Sequence, residues 1–282
     1  MDPRYLVIGG GVAVLIAAFA LLLLRRRRLP DGPVPKKWRR ILRKRVRYFR
    51  ELDPAHQEVF LKRVQGFLDD VSIVGAKTKV TLTDKLLVAA SAEIPLFGFD
   101  QWRYPNLDEV ILHGRSFARD FDPAADADVL GIVGNRELSR AMVLSRPALH
   151  QGFGRHTDHN VGIHEFAHLL DMSDGATDGS PDYYLEDGLV GPWMRLVAQE
   201  MAKVRAGDSD LDDYAATNEA EFFAVASEYF FNRPDELAND HPKLYAMLEQ
   251  IFKQHPTLDT PVGTFTDANS APEELTTDEM SA

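Results

Sequence analysis

Hydrophobic and polar positions change character sharply at residue 25. Every residue from Leu6 to Leu24 is apolar or glycine, nineteen in a row. At about 1.5 Å per residue, such a run is long enough as a helix to cross a bilayer's hydrocarbon core. Arg25, Arg26, Arg27 and Arg28 follow at once, whereas Arg4 alone precedes the run. A cleavable signal peptide has the opposite order, with its positive charge first. The pattern predicts a single membrane-spanning helix, and the positive-inside bias then places everything after Arg28 in the cytoplasm.

Beyond it the periodicity is that of a globular chain. Pro30, Gly32, Pro33 and Pro35 read as a linker, and Lys36 to Arg50 is basic with Trp38, Ile41, Leu42, Tyr48 and Phe49 interleaved. That stretch suits either anionic lipid headgroups or the solvated first helix of a domain. Asp53-Pro54 predicts an N-cap opening an amphipathic helix to about Leu68. Lys79–Leu82 alternates like a strand, and Asp84–Ala92 is rich in alanine and leucine, as a helix would be. Further strands are predicted at Glu109–His113, Val129–Val133 and Ala141–Ser145, then helices at Asn160–Met172, Gly188–Ala206, Glu219–Asn232 and His241–Gln254. Strands early and helices late describe an α+β domain. The expected organisation is an anchor at 1–28, a basic juxtamembrane linker at 29–50, a domain at 51–256, and a disordered acidic tail at 257–282.

Charge sharpens this division. Residues 25–50 hold 13 of the 32 Lys and Arg and one acid, Asp31, while residues 51–282 carry a net charge of −23. An acidic body behind a basic neck argues against nucleic acid as the main domain's partner. The absence of cysteine excludes disulfides, thiolate zinc sites, iron–sulfur clusters and a cysteine nucleophile.

The chemistry concentrates in His164-Glu165-Phe166-Ala167-His168. On a helix, residues four apart share a face, so both imidazoles can point at one metal ion. They are the only pair among the nine histidines with that spacing. Zinc accepts neutral imidazole, and a catalytic site uses three protein ligands with the fourth position open to water. Glu165 stands beside that position as a general base. Glu221 is a candidate for the third ligand. It opens the run Phe222 to Phe231, apolar on nearly all sides except at Glu228, and a buried carboxylate must be paired, hydrogen-bonded or metal-bound. Glu221 also suits a capping box with Asn218, a purely structural role.

Segments His159–Asp171 and Tyr214–Phe231 together resemble the Mlc titration factor A family of zinc peptidases. The helix after Asp53 and the stretches around Leu86–Pro95 and Leu107–Gly114 extend the likeness over roughly residues 40–255. Tyr214, followed seven residues later by Glu221, is also similar to the pattern of lethal-factor-type metalloproteases. The resemblance implies a zincin-like domain of the α+β class, with zinc held by His164, His168 and Glu221. It implies Glu165 as base and Tyr214 as oxyanion donor. The anchor is not part of the soluble family pattern, and its expected setting is a bacterial inner membrane. The lethal-factor-type pattern has a carboxylate four residues after the ligand glutamate, where this chain has Val225. The carboxylate that orients a zinc histidine must then come from elsewhere, with Asp171 and Glu228 as the choices. Two functions follow from the resemblance: a membrane-tethered peptidase acting on peptides or proteins, or a binding protein that sequesters a glucose-responsive transcriptional repressor. An intact base between the ligands favours the peptidase.

Overall fold

The computed structural model describes residues 30, 32–99, 103–115, 140–154, 157, 159–181, 184–185 and 188–256. The apolar run at 6–24, the strand expected at Val129–Val133 and the tail from residue 257 lie outside them. Among the described residues no helix is long and apolar enough to cross a membrane.

The basic stretch after the prolines is packed structure and not a linker. It forms α1 (Lys36–Arg45) and α2 (Arg47–Glu51). Leu42, Val46, Tyr48 and Phe49 are buried in the main core, so the packed body starts upstream of residue 51, the boundary expected from the sequence. Dense charge hides a narrow apolar stripe. Helix α3 (Pro54–Asp70) begins as predicted, with the Asp53 carboxylate accepting from the amides of Ala55 and His56 at 2.8 and 2.9 Å.

Strand β1 is Ser72–Ala76. The strand expected at Lys79–Leu82 is instead the approach to α4 (Leu82–Leu96), because Thr81 and Asp84 form a reciprocal capping box. That local pair satisfies two helix-end amides, which outweighs a four-residue alternation. The end of α4 is buried, and its carbonyls find partners far away in sequence. Arg63 donates to the carbonyls of Leu96, Phe97 and Phe99 and to the Glu93 carboxylate. Gln254 donates to those of Ile94 and Pro95. Burial pushes the Glu93 carboxyl up, while the Arg63 guanidinium opposes the shift.

Strands β2 (Glu109–His113) and β3 (Ala141–Ser145) complete a parallel sheet of order β1-β2-β3. Ile73 faces Val110 across the first ladder, and Val110 faces Met142 across the second. Three consecutive residues of β2, Val110 to Leu112, are buried, as expected of a central parallel strand covered on both faces.

The helical half holds the site. Helix α5 (Arg146–Gly152) leaves β3 without a loop, and α6 is Val161–Asp171. Then come α7 (Val190–Ala206), a 3₁₀ turn at Asp213–Ala216, α8 (Glu219–Asn232), α9 (Pro234–Asp240) and α10 (Pro242–Phe252). Helix α6 lies against both α4 and α8. The close approach to α4 requires a glycine. A Cβ at Gly162 would stand 2.0 Å from Ser91 Oγ and 2.7 Å from Ser91 Cβ. Phe166, Ala167 and Leu170 point the apolar face of α6 into the core. Helix α8 is buried on nearly all sides, as its sequence predicts. The mixture of a small parallel sheet and many helices is the α+β class expected.

Candidate metal centre

Two asparagine caps aim the site. At the start of α6, Asn160 Oδ1 accepts from the Ile163 amide at 3.2 Å, while its Nδ2 donates to the Gly152 carbonyl. At the start of α8, Asn218 Oδ1 accepts from the Glu221 amide at 2.9 Å. These caps bring the polar stripe of α6 to the first turn of α8.

His164, His168 and Glu221 converge there. His164 Nε2 lies 3.1 Å from Glu221 Oε2, His168 Nε2 lies 3.2 Å from His164 Nε2, and His168 Nε2 lies 3.4 Å from Glu221 Oε2. The three form the only such group able to hold a metal among the described residues. The capping role considered for Glu221 falls to the Asn218 side chain, and the Glu221 carboxylate is engaged by the histidines. Ligands about 2.0–2.1 Å from a tetrahedral zinc stand roughly 3.3 Å apart, close to the spacing of these three atoms. Two nitrogens and one oxygen also suit zinc chemically. The residues therefore fit the ion.

The electrostatics ask for a cation at the same place. Burial disfavours a charged His164, yet hydrogen bonds to Glu221 and Glu228 raise its pKa well above the ordinary histidine range. Burial would raise the Glu221 carboxyl, but hydrogen bonds from both histidines hold it below its usual range. Burial pushes Glu165 up, and the neighbouring histidines pull against that shift. A cation bound among these residues would face two carboxylates, and its binding would compete with protons on the histidines.

The structure separates the two carboxylates that the sequence left as alternatives. Glu228 Oε1 is 2.7 Å from His164 Nδ1, and Glu228 Oε2 accepts from the Asn160 backbone amide. Asp171, fully buried, accepts from the Gly179 amide at 3.0 Å. Asn160 was expected only as the first residue of a helix, and its backbone grip on Glu228 carried no sequence signal.

Tyr214 sits in the 3₁₀ turn before α8, its ring centroid 6.2 Å from that of His164. Its amide donates to Asp212 Oδ1 at 2.9 Å, and Asp212 Oδ2 lies 3.4 Å from His159 Nε2. Asp212 therefore links the tyrosine's turn to the segment leading into α6, a connection the sequence reading missed.

A donor triad of this type on a helix-rich α+β scaffold, with a glutamate between the two histidines, is an arrangement that metallopeptidases use. The chain belongs to the family described as glucose-regulated metallo-peptidase M90, whose model matches residues 21–253. It is similar to the uncharacterized protein slr2042 of Synechocystis, 29% identical over 248 residues, which is 83% of this chain and 90% of that protein. It is also similar to Mlc titration factor A of Serratia proteamaculans, 39% identical over 105 residues, and of Yersinia pestis, 37% identical over 105 residues. Those two matches span 34% of this chain and only 39% and 38% of the relatives.

Proposed function

We propose that the chain is a zinc-dependent peptidase, held at the bacterial inner membrane by residues 6–24 with its catalytic domain in the cytoplasm. The observation that carries the peptidase reading is the convergence of His164 Nε2, His168 Nε2 and Glu221 Oε2 within 3.1–3.4 Å of one another. These three residues would hold the ion, which when bound would supply a Lewis acid able to lower the pKa of a water towards 7. Glu165 takes the proton from the attacking water and passes it to the departing amine. The Tyr214 hydroxyl donates a hydrogen bond to the carbonyl oxygen as negative charge develops there. Glu228 holds the His164 imidazole by Nδ1, which keeps Nε2 available as a ligand.

A second reading is sequestration of a transcriptional repressor, with zinc in a structural role. The relatives named Mlc titration factor A favour it. Glu165 separates the two, since a pure binder needs no base between its ligands.

Elemental analysis tests the metal reading. The purified chain should carry about one zinc, and His168→Ala and Glu221→Ala should each lose it. No zinc above background after reconstitution would overturn the reading. Reporters fused after Ala282 test the topology: a fluorescent protein should be bright there and alkaline phosphatase silent. The reverse pattern would place the domain outside the cytoplasm.

A further inference from the structure

Helix α1 has two unlike faces. On one, Leu42 is fully buried and Trp38 and Ile41 pack against the core. Arg39 pairs with Glu58, and Arg45 contacts both His150 Nδ1 and the His150 carbonyl. The helix is therefore fixed to the body. At about 100° per residue, Lys36, Lys37, Arg40, Arg43 and Lys44 fall together on the outward side. Arg43 contacts Gln57 at 3.1 and 3.3 Å. Lys36, Lys37, Arg40 and Lys44 are exposed and have no hydrogen bond or ion pair among the described residues. No acid occurs between Asp31 and Glu51.

We propose that this outward face of α1 docks on anionic lipid headgroups and thereby holds the domain in one orientation against the membrane. The inference rests on the anchored reading above. Charge complementarity is one support. Residues 51–282 carry −23, so an anionic surface repels the body and attracts α1. Chain geometry is the other. Pro30 already lies against α3, with Lys62 Nζ donating to its carbonyl at 2.8 Å and also to that of Gly32. Arg28 precedes Pro30 by two residues, a span of at most about 7 Å. A body tethered so closely has to rest on the bilayer. The outward face also lacks a large exposed apolar residue, since among the described residues those are Val59, Val74 and Met172. It therefore suits a charged surface better than an apolar protein groove.

Lysine-reactivity footprinting of the full chain tests this. The chain is placed in nanodiscs of phosphatidylcholine alone, or with about 30% phosphatidylglycerol, an anionic surface like that which attracts polybasic segments. Lys36, Lys37 and Lys44 should react about threefold or more slowly in the anionic discs, with Lys243 on α10 unchanged, and about 0.5 M salt should remove the difference. Equal reactivity in both discs would overturn the proposal. So would protection without lipid that grows with protein concentration, which would assign the face to a second copy's acidic body. Failure of the anchor reads out separately, as salt extraction of the chain from phosphatidylcholine vesicles. In that case, co-flotation with the anionic vesicles should still occur and should be lost in the variant K36Q/K37Q/R40Q/K44Q. Co-flotation retained by that variant would overturn docking.

Discussion

Glu228 Oε1 lies 2.7 Å from His164 Nδ1, on the opposite side of the imidazole from Glu221. Two carboxylates seven residues apart on α8 thus bracket one ring on α6, Glu221 beside Nε2 and Glu228 beside Nδ1. Carboxylates behind a zinc histidine fix its tautomer and orientation, and losing one typically costs about 10–100-fold in metal affinity. Glu228→Gln should show a loss of that size in competition with a chelator. Unchanged affinity would mean that the contact is only packing.

Tyr214→Phe should keep the zinc and lose turnover on the order of 100-fold, the usual cost of removing one oxyanion donor. Zinc content and rate are measured on the same sample. Full turnover in that variant would make Tyr214 a packing residue.

Gly162→Ala should destabilise the domain by about 1–3 kcal/mol, because the added methyl overlaps Ser91 in a packed helix contact. Denaturant unfolding measures the loss. Ser91→Gly in the same chain should recover part of it, which a helix-propensity effect at residue 162 would not allow.

A buried histidine away from the metal centre sets a pH dependence of stability. His241 lies 3.0 Å from Glu200 Oε2 and 2.6 Å from Asp210 Oδ1. The Glu200 hydrogen bond raises its pKa against the opposing effect of burial, with Asp210 adding to the rise. Its stabilisation is present in full below about pH 6.5 and fades as pH climbs through the raised folded-state value. Glu200 is held low mainly by its hydrogen bond to His241. Burial would raise Asp210, but hydrogen bonds from Tyr229 and His241 hold it low. Those two contributions fade as pH falls through their depressed values. The difference in melting temperature between the parent chain and His241→Gln should therefore shrink as pH rises above 6.5. A difference constant from pH 5 to 9 would contradict the assignment.

The helices carrying the candidate metal ligands were legible because local signals agreed with tertiary ones. Asn160 and Asn218 mark the starts of α6 and α8, and the apolar residues that follow fix which faces are buried. The place of Glu221 in the cluster was legible only in part, since it equally suited a cap. The choice between Asp171 and Glu228 could not be made from spacing, because it depends on how α8 crosses α6. Helix α1 was legible only as one of two readings, for a different reason. Its buried residues, Leu42 foremost, are outnumbered by cations whose long side chains reach solvent around them. Strand β1 was missed because its five residues, with Gly75 and Ala76 at one end, become a strand only when β2 lies beside them.

In the proposed mechanism Glu165 works as a base beside a metal held by other residues. Its most direct test compares hydrolysis of a broad peptide library by the zinc-loaded chain and by Glu165→Gln, with zinc quantified in both. Zinc content should be equal in the two, the parent chain should cleave, and the variant should not. Equal cleavage by both proteins would contradict the mechanism.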